Sequence, residues 1–161
     1  MKSSTLFLLR TFLATLFALL LLPQSNGQNR AEDEQAIRDV ITGVSDALVQ
    51  KDWETYQAYF VQDSTLRSIH PEDMDWAIGW EAFEMRLKPV FESDIELDYA
   101  LNRAEIFVGP GGDCAWAATE FSIFTQGTEM HTWHIWVLIK SNNSWRINLG
   151  FSSSIPMSES R

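Results

Sequence analysis

Cysteine is nearly absent from this 161-residue chain. Cys114 stands alone, so no internal disulfide can staple the fold and stability must come from an apolar core. Its place at the start of an apolar run reads as a small buried side chain rather than a reactive thiol. Basic residues are also few, with 12 Lys and Arg against 22 Asp and Glu for a formal charge of -10. That balance argues against nucleic acid or an anionic membrane surface as partner, since both need a basic footprint. No phosphate-cradling loop is present either: Gly109, Gly111 and Gly112 join two apolar runs instead of opening a helix. A Ser/His/Asp nucleophile signature is missing. His131 and His134 have a tempting spacing for a metal, but on a strand they point to opposite faces, so neither metal nor cofactor is expected.

Long apolar runs are equally scarce. The one instance, Thr11 to Leu22, follows Lys2 and Arg10 and precedes Pro23-Gln24-Ser25-Asn26-Gly27. This is the layout of a secretory signal peptide over residues 1–27, too short for a comfortable spanning helix, with an uncleaved anchor as the alternative. No cysteine follows the run, which argues against a lipoprotein signal. Cleavage would remove two positive charges, taking the formal charge from -10 to -12, and would leave a secreted or periplasmic protein with no membrane attachment. The remainder divides into one domain, 28–154, and a serine-rich tail expected to fray, 155–161.

Within the domain, Ala36, Ile37, Val40, Ile41, Val44, Ala47 and Leu48 recur at helical spacing, predicting a helix over 31–50 whose first-turn acids, Glu32 to Glu34, suit the dipole. Asp52 is a plausible N-cap for a second helix over 53–61, with Trp53, Tyr56 and Phe60 on one side. A short strand is expected over 64–70, because Pro71 biases His70 towards an extended backbone. Residues 71–78 read as an acidic loop carrying Trp76. A third helix over 81–91 follows Gly79-Trp80, with Pro89 set to kink or end it. From Leu97 the chain reads as strand after strand, over 97–108, 114–124 and a final hairpin. Helices first and an antiparallel sheet afterwards is the α+β pattern.

The hairpin spans 128–151 and turns at Asn142-Asn143, residues that tolerate positive φ. Pairing Ser141 with Ser144 sets Leu138 against Ile147, Trp136 against Leu149 and His134 against Phe151. Those six, with Thr132 and Trp145, then share one face, while Trp133, Ile135, Val137 and Ile139 share the other. Both faces of the first strand are apolar, so each needs a cover.

Lys51-Asp52-Trp53 with Tyr59-Phe60 and Asp63, Gly79-Trp80-Glu81-Ala82-Phe83, and Ser144-Trp145-Arg146-Ile147 come in an order and spacing that resembles the nuclear transport factor 2-like superfamily, in particular its SnoaL-like branch. The resemblance implies a curved antiparallel sheet wrapped around N-terminal helices as a cone with an internal pocket, a cystatin-like topology often dimerised through the outer sheet face. It places Tyr56, Trp76, Trp80, Thr132, Trp136, Trp145, Leu149 and Phe151 at a ligand pocket, and Trp116, Trp133, Ile135 and Val137 at a homodimer interface.

Chemistry is harder to assign, because the superfamily holds catalysts and non-catalysts on one fold. Isomerase-like members carry a general-base aspartate before a proline on the strand after the second helix. Counting from Asp63 puts Ser68 there, and aligning on the proline puts His70 there. Neither is a carboxylate. His70 and His134 remain as candidate catalytic residues, with Asp73, Asp75 and Glu81 near His70 in sequence, and a histidine of near-neutral pKa can shuttle a proton on a carbonyl or hydroxyl substrate. The sequence therefore supports a pocket for a small, largely apolar molecule, and alternatively an acid–base lyase or isomerase, or a module that recruits another protein through its outer face. Whether the chain is an enzyme stays open at this level. Asn142-Asn143-Ser144 is also a glycosylation sequon, relevant only in a glycosylating host.

Overall fold

A computed structural model describes residues 25–70 and 75–156. The expected leader therefore lies almost wholly outside the described residues. Helix α1 spans Ser25–Val49, starting before the predicted 31, α2 spans Trp53–Ala58 and α3 Trp80–Glu92. Strands β1 Arg67–His70, β2 Asp75–Ile78, β3 Leu97–Val108, β4 Cys114–Thr125, β5 Thr128–Ser141 and β6 Ser144–Pro156 form one six-stranded sheet in the order β2-β1-β6-β5-β4-β3. The fold is α+β, with N-terminal helices and a curved, unclosed sheet. Among the described residues, no helix is long and apolar enough to cross a membrane.

From Glu32 onward the chain forms one compact unit. Ile37, Val40, Ile41, Val44, Ala47 and Leu48 are all buried, so the helical stripe is the core face of α1. Asp52 caps α2, accepting from the Thr55 amide at 3.0 Å and from its hydroxyl at 2.6 Å. Helix α2 stops earlier than predicted because Phe60 leaves it to bridge Ile147 of β6. Pro89 neither kinks α3 to a halt nor ends it; the carbonyl it deprives of a donor belongs to Met85, an exposed residue that water can serve. An added Cβ at Gly43 would sit 2.2 Å from the Tyr59 hydroxyl, so a larger residue there would displace that ring.

Several predictions on the sheet need correction. Residues 75–78 are not loop but an edge strand paired with β1. Strand β6 continues through Pro156, so the sheet takes in the first two residues of the expected tail, and 157–161 lie outside the described residues. Cys114 is exposed, because the alternation of β4 turns Ala115 and Ala117 inward instead.

Register is the largest correction. Ser141 does pair with Ser144 and Leu138 with Ile147, with Asn142 and Asn143 at φ of 50° and 63° in the turn. Beyond that, a bulge shifts the ladder between Val137 and Leu138, leaving Asn148 unpaired. Trp136 therefore faces Gly150, and His134 faces Ser152; Leu149 and Phe151 pair with Val137 and Ile135 of the outer row. The Asn148 side chain donates to Thr65 Oγ1 at 2.9 Å, tying the bulge to the loop before β1. A second shift, at Asn102 of β3, is held by Asn102 Nδ2 on Ser122 Oγ at 3.0 Å. Such bulges bend and twist a sheet, which curves this one around its helices.

One buried polar node ties α1 to the hairpin. Asp33 Oδ1 accepts from Lys140 Nζ at 2.6 Å and from Trp145 Nε1 at 3.0 Å. Burial raises the Asp33 pKa, but the hydrogen bonds from Lys140 and Trp145 and the Lys140 charge outweigh it, leaving the carboxyl below its usual 3.8. A depressed folded-state pKa gives stability that is complete above the unfolded value and lost as pH falls through the folded one. Asp33→Ala should cost about 2–3 kcal/mol at pH 7 in urea unfolding, and its deficit against the parent chain should shrink as pH drops below 3.8.

Candidate functional site

Between α1, α2, α3 and the concave sheet face lies a cavity of about 110 Å³. Its apolar wall comes from Val44 and Leu48 of α1, Phe60 after α2, Phe83 and Leu87 of α3, and Phe121 and Trp136 of the sheet. Polar groups enter mainly from the strands: Ser68 and His70 on β1, Tyr99 on β3, His134 on β5 and Ser152 on β6, joined by Tyr56 of α2.

Each polar group is held for a local reason. The parallel pairing of β1 with β6 matches Ser68 with Gly150 and Ile69 with Phe151, which brings His70 beside Ser152. Ser152 Oγ lies 2.7 Å from His70 Nδ1, and Ser68 Oγ lies 3.0 Å from His70 Nε2. Both ring nitrogens of His70 are thus engaged by hydroxyls. The His134 ring stacks on Trp136 at 4.9 Å and meets the Phe121 edge at 5.2 Å. Trp136 is fixed in turn by its Nε1 donating to Thr119 Oγ1 at 2.9 Å. Burial pushes the Tyr99 hydroxyl up to about 12, and burial with the neighbouring Tyr99 raises Tyr56 still further. Both phenols therefore stay protonated and can donate a hydrogen bond. Tyr56 packs within an aromatic cluster, 4.8 Å from Phe91 and 4.9 Å from Phe60.

Of the residues expected at the pocket, Tyr56, Trp136, Phe151, His70 and His134 border the cavity, Phe151 doing so although its partner Ile135 lies on the outer face. The other pocket residues do not border it. Trp76 is 61% exposed, because the segment it sits on is an edge strand and not a loop. Trp80 packs on Trp53 and Phe83 at the base of α3. Thr132 is buried, accepting from Ser154 at 3.4 Å, and Trp145 is buried against Asp33. Leu149 is turned away by the bulge at Asn148. Ser68, which the resemblance singles out only as a position lacking the expected carboxylate, also lines the wall, as do Tyr99, Gly150 and Ser152, which the sequence reading does not include. The signal available for the last two was size: small side chains stand opposite His134 and Trp136.

Across the sheet, Trp116, Trp133 and Ile135 are exposed at 44%, 41% and 41%, Val137 is half-buried, and Phe107 stacks on Trp116 at 5.8 Å. His131 lies on this outer side, 3.6 Å from Glu120 and 3.9 Å from Glu129. Among the described residues no group of three or more His, Cys, Asp or Glu could hold a metal ion.

A family model described as a SnoaL-like domain matches residues 37–158. No curated protein matches the chain. Among solved structures, a proposed scytalone dehydratase from Novosphingobium aromaticivorans superposes with a TM-score of 0.71 at 14% identity, covering 81% of this chain and 89% of its own. A proposed dehydratase of the nuclear transport factor 2-like family from Streptomyces avermitilis gives 0.70 at 14% identity, covering 78% and 98%. A protein of unknown function with a cystatin-like fold from Nostoc punctiforme gives 0.65 at 16%, covering 80% and 96%. At these identities the likeness is one of fold.

A Cβ on Gly150 would stand 3.3 Å from Trp136 Cζ3. Because Thr119 anchors that ring, it cannot retreat freely. Gly150→Ala should push Trp136 into the cavity, costing about 1–3 kcal/mol and altering the near-ultraviolet circular dichroism; an unchanged spectrum would mean the ring does not lie on this strand.

Proposed function

Because the chain belongs to the SnoaL-like domain family, we propose that its cavity binds a small, largely apolar molecule carrying one oxygen function. The observation behind this reading is the wall itself: an aromatic and aliphatic lining with a few convergent donors, the usual profile of a ligand site. Size narrows the class. A volume of about 110 Å³ is below the roughly 150 Å³ of an engineered apolar cavity that takes up benzene. A ligand of a single small ring or short chain fits; a polycyclic one does not. Tyr56 and Tyr99 offer their hydroxyls to the ligand oxygen.

A second reading, acid–base lyase or isomerase chemistry, is favoured by His70. A ring whose two nitrogens meet hydroxyls can accept a proton at one edge and release it at the other. The proposed dehydratases among the structural neighbours lend this reading weight. The outer sheet face suits a second copy of the chain: Trp116, Trp133, Ile135 and Phe107 make a contiguous apolar surface of the kind an isologous interface covers.

Titration with small cyclic ketones and alcohols should change tryptophan fluorescence saturably through Trp136, with dissociation constants on the order of micromolar to millimolar for ligands this small. Trp136→Phe should abolish the response. No response to any such compound would remove the binding reading, whereas binding that survives in His70→Gln while turnover disappears would select the lyase or isomerase reading. Sedimentation velocity should give a dimer that Trp116→Glu converts to monomer; a monomeric parent chain would refute the interface.

A further inference from the structure

Two hydroxyls flank His70 in a way that binding alone does not require. Ser68 Oγ lies 3.0 Å from Nε2 and Ser152 Oγ 2.7 Å from Nδ1. All three residues border the cavity, and the serines are only 4% and 8% exposed. A hydroxyl within hydrogen-bond reach of a base, with the base oriented from its far side by a third group, is the arrangement that activates a serine nucleophile. In a neutral imidazole one nitrogen carries the proton and the other accepts. If Nδ1–H donates to Ser152 Oγ, Nε2 is left to accept the Ser68 proton.

We propose that Ser68 is a nucleophile, His70 its general base and Ser152 a positioning residue, together transferring a short apolar acyl group from an ester to water. Ser68 Oγ bonds to the ester carbonyl carbon as Nε2 takes its proton, and the carbonyl π pair moves onto oxygen. That oxygen is received by the donors the same wall supplies, the Tyr56 and Tyr99 hydroxyls. The pair then reforms the carbonyl, the bond to the alkoxy oxygen breaks, and the imidazolium protonates the departing alcohol. Water repeats the sequence with His70 as base, cleaving the acyl–Oγ bond and restoring the Ser68 proton; the products are one alcohol and one carboxylic acid. Cavity size restricts the acyl group to a few carbons. Ser152 touches no reacting atom and acts by fixing which nitrogen faces Ser68.

The decisive experiment treats the full chain with a small alkyl fluorophosphonate, followed by intact mass and peptide mapping, beside hydrolysis of p-nitrophenyl acetate and octanoate. The expected result is one adduct per chain on Ser68, with acetate preferred by at least about tenfold. Ser68→Ala should lose adduct and hydrolysis with its circular dichroism unchanged, and Ser68→Cys in a Cys114→Ala background, which removes the exposed thiol, should take up iodoacetamide at position 68 instead. Ser152→Ala should shift the pH profile of kcat, and Ser152→Thr should restore it, an effect that a merely structural role would not produce. No adduct on the folded parent chain, an adduct on Ser152, or labelling that persists in Ser68→Ala would overturn the proposal. The small-ligand reading would survive any of these results if the fluorescence titration still saturates.

Discussion

Strand β6 holds one residue more than β5 can pair, and the interior is arranged around where that residue sits. With Asn148 set aside, Gly150 and Ser152 come to face Trp136 and His134, and the larger Leu149 and Phe151 join the outer row. Small residues opposite large ones are what leave room on the concave face. The same slip aligns β6 with β1 so that Ser152 meets His70. Without it, Leu149 would stand opposite Trp136 in place of Gly150, and Phe151 opposite His134 in place of Ser152. A one-residue shift reverses every side chain beyond it, so a local irregularity decides the chemistry of the whole wall.

The wall combines two requirements that normally oppose each other. An apolar cavity favours an uncharged guest, and polar groups in it are costly unless satisfied. Here Ser68 and Ser152 answer the imidazole of His70, and Thr119 answers the Trp136 indole. The two phenols are kept protonated by burial. Their hydroxyls remain able to donate on the cavity wall. Away from the cavity, the Asp33 carboxylate bound to Lys140 and Trp145 fixes α1 against the hairpin turn, so the helical side of the pocket and its sheet side are held in one frame.

Much of this frame was legible from residue order. The α1 stripe, the asparagine turn and the span of β3 follow from periodicity and φ tolerance, which are local properties. What could not be read was non-local. The bulge at Asn148 is tied by a hydrogen bond to Thr65, far away in the chain, and the edge strand carrying Trp76 pairs with β1. Trp145 looked like a pocket residue because strand alternation gives a face but not a depth; its indole is spent on Asp33. Asp33 itself looked like a helix-start acid, yet α1 begins at Ser25, so its role came from packing and not from the dipole. Ser68 and His70 were picked out as the two positions replacing a family carboxylate, and both lie on the cavity wall, while Tyr99 carried no signal beyond alternation.

The whole site rests on an accessible apolar void against Trp136 and His134 behind the bulge. Nuclear magnetic resonance of the full chain under xenon pressure tests it most directly, since xenon enters dry apolar cavities. Saturable shifts at the Trp136 indole, the His134 ring and the Phe121 ring are the predicted result. Shifts confined to Trp116 and Trp133 on the outer face would contradict it.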